Sequence, residues 1–218
     1  IVLDGEKYTK DNSFIIHLNQ PKRTLIDAMF YTQTEFRDSL FYDVSAWTFP
    51  LAFNVNYSYT NGLNKASVSR LIGDEVESLE KPEGNVNSKS NYAYLFEPHE
   101  YYAQAAVYNL IKEGLRVKTA TRKFSIRGNE YDYGTYLIPV QNQSMSSEEI
   151  YNKLIEVSQK YNIDFESQST GITDGIALGS DYFIIVKEPK IGLIVGDGVW
   201  SDDAGEIWLL LDTRYDIP

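Results

Sequence analysis

Two histidines are the residues through which this chain is best equipped to bind a metal or transfer a proton. His17 lies inside a predicted strand, and His99 is followed by Glu100 but has Ala103 where a His-Glu-x-x-His helix places its second histidine. Catalytic zinc needs three protein ligands and an open position, so we predict no metal site and no cofactor in this chain. The absence of cysteine excludes thiolate nucleophiles, cysteine zinc sites and disulfides. No serine lies in a G-x-S-x-G turn, and no catalytic residue is predicted.

A first candidate binding site is formed by Glu97, His99 and Glu100, which follow a predicted strand at residues 92–96 and precede a predicted helix. Ligands of α/β proteins favour the carboxyl ends of parallel strands, so these three residues are candidate binding residues of a small polar site. The alternative is structural, because acidic side chains at the start of a helix stabilise the positive end of its dipole. The sequence favours the structural alternative and leaves both open.

A second candidate is the glycine-rich turn at residues 196–201, which lies between a predicted strand and a predicted helix. Its glycine spacing is similar to that of a phosphate-binding turn, which makes Gly196, Gly198 and Ser201 candidate binding residues. Repulsion by nearby carboxylates opposes phosphate binding and favours a purely structural tight turn. These carboxylates belong to Asp197, Asp202 and Asp203.

Strand and helix signals alternate after a turn-rich stretch, where we place a domain boundary near residue 88. Strands are predicted at residues 92–96 and 115–120, with a helix between them that Pro98 opens and that ends at Gly114. A strand, a helix and a strand of this length form a crossover unit that joins parallel strands.

Two further signals complete the predicted fold. Ser146 and Glu149 form a capping box for a helix that continues to Tyr161. Residues 191–195 are apolar on both faces, which is typical of a central strand in a parallel sheet with helices on both sides. We therefore predict an α/β fold, a three-layer αβα architecture with a mostly parallel sheet and additional β-hairpin units. Gly205, inside the last predicted helix, predicts a close backbone approach, because glycine there costs ~1 kcal/mol relative to alanine.

An internal similarity predicts the β-hairpin units. Residues 1–18 match residues 124–140, with Gly5 paired to Gly128 and Tyr8 paired to Tyr131. Each copy has the pattern of two strands joined at a turn glycine, followed by a polar link and a helix. Chance similarity between two hairpins is the alternative, and the equal spacing from glycine to tyrosine favours true repetition.

Charge and hydropathy exclude two classes of partner. The 218 residues include 31 acidic and 20 basic side chains, a net charge of −11, which is the wrong sign for binding a nucleic-acid backbone. No apolar run approaches the roughly 18 residues that span a bilayer. We predict no nucleic-acid partner and no membrane span.

Four segments carry a family resemblance: LNQPKRTLIDAMF (18–30), FYDVSAWTFPLAFNV (41–55), GNEYDYGTYLIPV (128–140) and IGLIVGDGVWSDDAGEIWLLLDTRYDIP (191–218). In this order they resemble stretches of large bacterial secreted proteins of the zinc carboxypeptidase family, metallocarboxypeptidase A-like, downstream of the peptidase domain. The zinc ligands of that family include a His-x-x-Glu motif. Gln20 and Tyr102 stand three residues after the two histidines, so the resemblance brings no catalytic residue.

The resemblance implies an organisation in three parts and a partly flavodoxin- or amidotransferase-like fold. A hairpin-helix subdomain with the YDVSAW segment covers residues 1–88, an α/β subdomain covers 89–190, and 191–218 open a class I glutamine amidotransferase-like unit. It implies that the peptidase and amidotransferase-like domains are partners, and that zinc belongs to the peptidase domain alone. It also implies an extracytoplasmic location, periplasmic or secreted.

Two functions follow as expectations. The first is a noncatalytic accessory region of such a secreted carboxypeptidase-like protein. The alternative is a small-ligand, peptide or carbohydrate-binding α/β module, since 17 Tyr and 3 Trp side chains supply stacking surfaces. A cleft lined by exposed Tyr or Trp favours the binding module, and a large exposed apolar patch outside any cleft favours the accessory role.

The last predicted helix is apolar nearly all round, because Ile207, Trp208, Leu209, Leu210 and Leu211 run together. We expect residues 191–195 to join the same parallel sheet as residues 92–96 and 115–120, and the helix to pack on one face of that sheet. A second copy of the chain, in a homodimer, is expected to cover the remaining apolar side.

Overall fold

The computed structural model describes residues 1–32, 49–60, 72–79 and 83–218. The chain divides into two compact units, Ile1–Glu80 and Lys81–Pro218, called unit 1 and unit 2 below. The YDVSAW segment at residues 42–47 lies outside the described residues.

Unit 1 contains a short hairpin and two helices among its described residues. The hairpin pairs β1 (Val2–Leu3) with β2 (Glu6–Lys7) in antiparallel register, and the helices are α1 (Arg23–Phe30) and α2 (Phe49–Ala52). None of the side chains of α1 is fully buried. This unit therefore shows little core of its own in the part of the chain described.

Unit 2 contains the larger core and alternates strands with helices. Its strands are β3 (Ala93–Phe96), β4 (Lys118–Ala120), β5 (Phe124–Ile126), β6 (Asn129–Tyr131), β7 (Tyr136–Pro139), β8 (Glu166–Gln168) and β9 (Phe183–Ile185). Its helices are α3 (Ala103–Lys112), α4 (Ser147–Tyr161), α5 (Ser201–Trp208) and a π-helical turn at Leu209–Arg214.

Local sequence signals account for the helix boundaries. The capping box is confirmed, because Ser146 accepts the backbone N–H of Glu149 at 3.3 Å while Glu149 accepts the backbone N–H of Ser146 at 2.7 Å. Helix α3 ends at Lys112, and Gly114 follows with a left-handed φ of 88°. Its start is later than predicted: turns follow Pro98, and the helix begins at Ala103.

The main sheet of unit 2 is antiparallel. Its five strands lie in the order β8-β3-β7-β4-β9, and every neighbouring pair runs in opposite directions. The chain is thus a mixed α/β protein, and the predicted mostly parallel sheet is wrong. Strands β3 and β4 do run in the same direction, as the strand-helix-strand spacing predicted, but β7 lies between them and pairs with both.

Unit 2 contains two strand-helix-strand units whose two parallel strands are separated by one strand of the other unit, and we call these split units. Helix α3 connects β3 to β4 across β7, and helix α4 connects β7 to β8 across β3. The resulting β-α-β-β-α-β order is the ferredoxin-like topology, here with β9 added beside β4 and the hairpin β5–β6 inserted before β7.

Both faces of the sheet are covered, but by different elements. Tyr94 and Phe96 of β3 belong to a core shared with α3 and α4, whereas Ala93 and Leu95 belong to a second core on what we call the hairpin-side face. That second core includes Phe124, Ile126, Tyr131, Ile176, Leu178 and Phe183. Since α3 and α4 share one core, the predicted three-layer αβα architecture is also wrong. The described residues of unit 2 form one helical layer, the sheet and a hairpin layer.

The two similar segments form the same turn. Asp4 and Gly5 between β1 and β2 have φ of 51° and 88°, and Arg127 and Gly128 between β5 and β6 have φ of 52° and 86°. Positive φ at both central residues is the type I′ hairpin turn, so the predicted equivalence of the two glycines is confirmed. Beyond the hairpins the prediction is confirmed in part: α1 follows the first copy and α4 the second, but residues 14–16 form no strand while the matching segment is β7.

The C-terminal segment differs from its prediction. Residues 191–195 form no strand and lie exposed, and none of the side chains of α5 is buried. Neither the predicted parallel strand at 191–195 nor the packing of the helix on the sheet is observed. The end of the segment is anchored: Tyr215 Oη donates to the Tyr101 carbonyl at 2.9 Å, and Ile217 is buried. No helix in the described part of the chain is long and apolar enough to cross a membrane.

Candidate functional site

Glu97 lies where β3 ends, beside the strands on both sides. Register pairs Phe96 with Tyr136 on β7 and Leu95 with Glu166 on β8, so Glu97 comes next to Thr135. Thr135 Oγ1 lies 3.3 Å and 3.2 Å from the two carboxylate oxygens of Glu97. Burial raises the pKa of Glu97; the Thr135 hydrogen bond lowers it, and the nearby charges of Glu166 and Asp132 raise it further.

Glu100, in the turn before α3, has the most strongly shifted pKa of the three candidates. Burial raises the pKa of Glu100 to about 7, and the charge of Asp164 adds to the rise. The carboxylate also accepts a backbone hydrogen bond from Asp164, which lowers the pKa and only partly offsets the other two effects. A carboxyl group with this pKa exchanges its proton near neutral pH.

His99 contacts Glu97 without forming a strong ion pair. Its Nδ1 lies 3.9 Å from Glu97 Oε2, and burial lowers the pKa of His99. The pKa shift of each partner favours its neutral form, which weakens the electrostatic attraction between the two groups. The structure thus brings together the three residues predicted from sequence, as the polar end of strand β3.

Further groups in this acidic cluster come from parts of the chain that sequence reasoning missed. Tyr131 Oη donates to Glu166 Oε2 at 2.5 Å and accepts from Gln168 Nε2 at 3.3 Å. Burial and the carboxylate of Glu166 raise the pKa of Tyr131 above that of a free phenol. The pairing of β8 with β3 brings Asp164 and Glu166 close to Glu97 and Glu100. The alternation of polar and apolar residues along a strand does not specify which strands pair.

The chemistry that this acidic cluster supports is reversible protonation of Glu97 and Glu100. Within residues 1–32, 49–60, 72–79 and 83–218, no three histidine, aspartate or glutamate side chains are arranged to hold a metal ion. Within the cluster, burial and neighbouring carboxylates raise the pKa values of Glu97 and Glu100. Its clearest consequence is a dependence of stability on pH.

Replacing Glu100 with glutamine is expected to stabilise unit 2 at pH 8. The folded-state pKa of Glu100 lies above its ordinary value of 4.5, so the folded state binds more protons between pH 4.5 and 7, and the free energy of unfolding falls as pH rises through that range. A glutamine side chain carries no charge and avoids this loss, a gain of about 1–2 kcal/mol after allowance for solvent screening. Native-state hydrogen exchange of core amides in β7 measures it.

The control for this prediction is the exposed Glu130→Gln, which removes the same charge outside the turn before α3. The gain from Glu100→Gln shrinks towards zero at pH 4, where Glu100 is protonated in the folded and the unfolded state. Equal effects of the two substitutions at pH 8, or a gain that does not depend on pH, contradict the assigned cause.

The glycine-rich turn is a tight structural turn in this molecule. Gly196 and Gly198 have φ of 116° and 88°, and the backbone N–H of Val199 donates to the Gly196 carbonyl at 3.1 Å. Ser201 is the first residue of α5, and its Oγ donates to Asp202 Oδ1 at 3.4 Å. A binding role for Gly196, Gly198 and Ser201 stays a prediction.

The predicted close approach at Gly205 is wrong, because a Cβ there meets nothing within 4 Å.

A separate cleft opens on the hairpin-side face of the sheet. Its volume is about 290 Å³, and Arg116 and Lys118 line it together with Tyr92, Gln141 and Asn142. Its floor is apolar and includes Leu137 and Leu178, both buried in the hairpin-side core. Sequence reasoning missed this cleft, although Arg116 and Lys118 stand two residues apart in a predicted strand.

Comparison with protein-family models, curated proteins and solved structures finds no match for this chain. Function is therefore inferred from the residues described above. Two features are open to a partner: the cleft at Arg116 and Lys118, and the exposed C-terminal segment.

Proposed function

We propose that this chain is a noncatalytic accessory region of a secreted zinc carboxypeptidase-like protein, and that it contacts a neighbouring domain of that protein through residues 191–210. The observation that supports this is the exposure of ten large apolar side chains within these twenty residues. They are Ile191, Leu193, Ile194, Val195, Val199, Trp200, Ile207, Trp208, Leu209 and Leu210.

Exposure on this scale is costly unless the surface is used. Isolated exposed apolar residues are ordinary, but contiguous runs mark contact surfaces. Ile194 is 80% and Trp200 75% exposed, and burial of one such side chain contributes roughly 1.5–3 kcal/mol. Burial of only part of the segment by a neighbouring domain therefore contributes enough free energy to hold that domain in place.

Two features of the segment suit a protein partner. Residues 191–195 form no strand ladder, so their backbone groups are available to pair with another chain. A shallow cavity of about 260 Å³ lies against the π-helical turn, where Leu209 and Leu210 stand beside the charged Glu206 and Arg214. An apolar contact with a charged rim is the usual composition of a protein interface.

The family resemblance supplies the identity of the proposed partner. It implies a peptidase domain and an amidotransferase-like domain in the same polypeptide, with residues 191–218 leading into the latter. The catalytic residues of the parent then lie outside this chain, and its secreted location is part of the proposal.

Hydrogen exchange in two proteins tests the accessory role. We expect amides 191–195 to exchange rapidly in the isolated chain and at least about tenfold more slowly in the natural polypeptide that contains it, because docking protects them. Ile194→Asp in the longer polypeptide is expected to abolish that protection. Ile172→Asp is the matched control, since Ile172 is 83% exposed and lies outside the segment.

Two outcomes contradict the proposal. Equal exchange of these amides in the isolated chain and the longer polypeptide shows that no domain covers the segment. Protection in the isolated chain that rises with its concentration and coincides with a dimer in sedimentation assigns the surface to a second copy.

A second candidate function, a small-ligand-binding module, is favoured by the cleft at Arg116 and Lys118. The cleft has the concave shape, apolar floor and few polar groups of a ligand site. Tyr92 is its aromatic side chain among the described residues, and two cations accompany it, which favours a charged ligand over a stacked sugar.

A further inference from the structure

We infer that the cleft at Arg116 and Lys118 binds a small organic anion, whose carboxylate or phosphate group lies between the two cations and whose apolar body contacts the floor. This inference rests on the second candidate function and is independent of the accessory role. It is carried by the orientation of the two cations, their lack of counter-ions, the restraint on Arg116 and the composition of the floor.

The backbone places both cations on one face. Val117 is fully buried in the core shared with α3 and α4, and successive residues of an extended chain point to opposite sides. Arg116 and Lys118 therefore lie on the hairpin-side face, about 7 Å apart along the chain. Two like charges at this separation repel each other, and an anion between them relieves that repulsion.

The cations of the cleft lack counter-ions, unlike most lysines of unit 2. Among the described residues, neither Arg116 nor Lys118 forms an ion pair, and no aspartate or glutamate lines the cleft. The ion-paired lysines of this unit are Lys89, Lys112, Lys123, Lys153 and Lys160. In a chain of net charge −11, a cleft with two cations and no carboxylate is a local site of positive potential.

Arg116 is held in place before any ligand arrives. Its Nη2 donates to the Gln141 carbonyl at 3.0 Å, while its backbone N–H donates to Gln143 Oε1 at 2.8 Å and its carbonyl accepts from Gln143 Nε2 at 3.0 Å. Its Nε is buried with no hydrogen-bond partner among the described residues. A restrained guanidinium loses little entropy on binding and retains donors for an oxyanion.

The apolar floor and the volume of the cleft limit the size and the chemical type of the ligand. Ala93, Leu137 and Leu178 are at most 3% exposed and present an apolar surface between the strands. A volume of about 290 Å³ lies at the small end of ligand sites, which suits an anion with a body about the size of one ring. Gln141 and Asn142 at the rim provide neutral polar groups beside the charged head.

Titration of the chain with benzoate, phenyl phosphate and benzyl alcohol tests the site, with amide chemical shifts as the readout. At least one of the two anions is expected to give saturable shifts at Lys118, Gln141 and Asn142, and the uncharged alcohol none. The anion that binds identifies the head group as carboxylate or phosphate. No shift at these residues with either anion, or equal binding of the alcohol, overturns the inference.

Lys118→Gln is expected to weaken binding of that anion about tenfold or more, because a charge-assisted hydrogen bond is lost. Lys187→Gln is the control, since Lys187 is exposed and outside the cleft. The affinity of the unaltered chain is expected to fall with added salt, a measurement that needs no variant.

Unchanged affinity in Lys118→Gln, or binding that does not respond to salt, refutes the site. Ile194→Asp leaves anion binding unaffected, so failure here is distinct from failure of the accessory role.

Discussion

Replacing Phe165 with alanine is expected to lower the free energy of unfolding of unit 2 by about 3–5 kcal/mol, the usual cost of removing a buried phenyl ring. Phe165 precedes β8, is 1% exposed, and packs its ring edge-on against Phe96 with centroids 4.9 Å apart. It belongs to the core that joins both split units, and its loss leaves a cavity that the fixed strands cannot close.

The backbone of Phe165 also holds a neighbouring segment against this core. Its N–H donates to the Asn85 carbonyl at 2.8 Å and its carbonyl accepts the Asn87 N–H at 3.3 Å, so residues 85–87 lie along this position. Urea unfolding followed at the core amides of unit 2 measures the loss. Tyr133→Ala, at an aromatic residue that is 59% exposed, is the control. A loss below about 1 kcal/mol for Phe165→Ala contradicts the assigned packing.

Replacing Gly84 with alanine is expected to cost about 1–3 kcal/mol, the usual penalty for overpacking a close contact. An added Cβ would lie 2.5 Å from the Ile163 nitrogen and 2.7 Å from its carbonyl oxygen, and closer still to the Ser158 carbonyl oxygen. All three are backbone atoms at the end of α4, so no side chain can rotate away. The chain at residues 83–87 must shift or α4 must shorten.

The contrasting substitution is Gly205→Ala in α5. A Cβ at Gly205 meets nothing within 4 Å, and alanine favours the helix by up to ~1 kcal/mol over glycine. We expect Gly205→Ala to leave unit 2 unchanged or slightly more stable, whereas Gly84→Ala lowers its unfolding midpoint in urea. Equal midpoints for the two variants rule out the close approach at Gly84.

The helices of unit 2 were predictable from sequence because their signals are local. Ser146 and Glu149 cap each other within four residues, and Gly114 ends α3 by its own conformation. The type I′ turns were predictable for the same reason, since the turn glycines Gly5 and Gly128 act within a hairpin. Each of these features is decided by residues adjacent in the chain.

The sheet was not predictable from the same patterns. The spacing of β3, α3 and β4 indicates two strands that run in the same direction, and they do, but it carries no information on whether β7 inserts between them. Residues 191–195 illustrate a related limit. A run of apolar residues indicates that a segment favours burial, and it does not indicate which surface provides it.

The candidate sites also combine residues that local sequence signals reveal with residues that only the folded sheet brings together. Glu97, His99 and Glu100 were found because they are adjacent in sequence, whereas Asp164 and Glu166 join them only through the register of β8. Arg116 and Lys118 carried a usable signal: their alternation with Val117 in a predicted strand places both on one face. The cleft itself depends on residues 137–142 and 178–179, which no local pattern connects to them.

Strand β9 ends the sheet on the side away from β8, and this position has a consequence for self-association. Its outer edge has no partner among the described residues, and Ile184 and Ile185 are 52% and 56% exposed. An apolar edge with unpaired backbone groups is the surface on which strands of other molecules add and aggregates grow. Two features of the chain counter this: β9 is only three residues long, and Lys187, Glu188 and Pro189 follow it with two charges and a residue that cannot donate a backbone hydrogen bond.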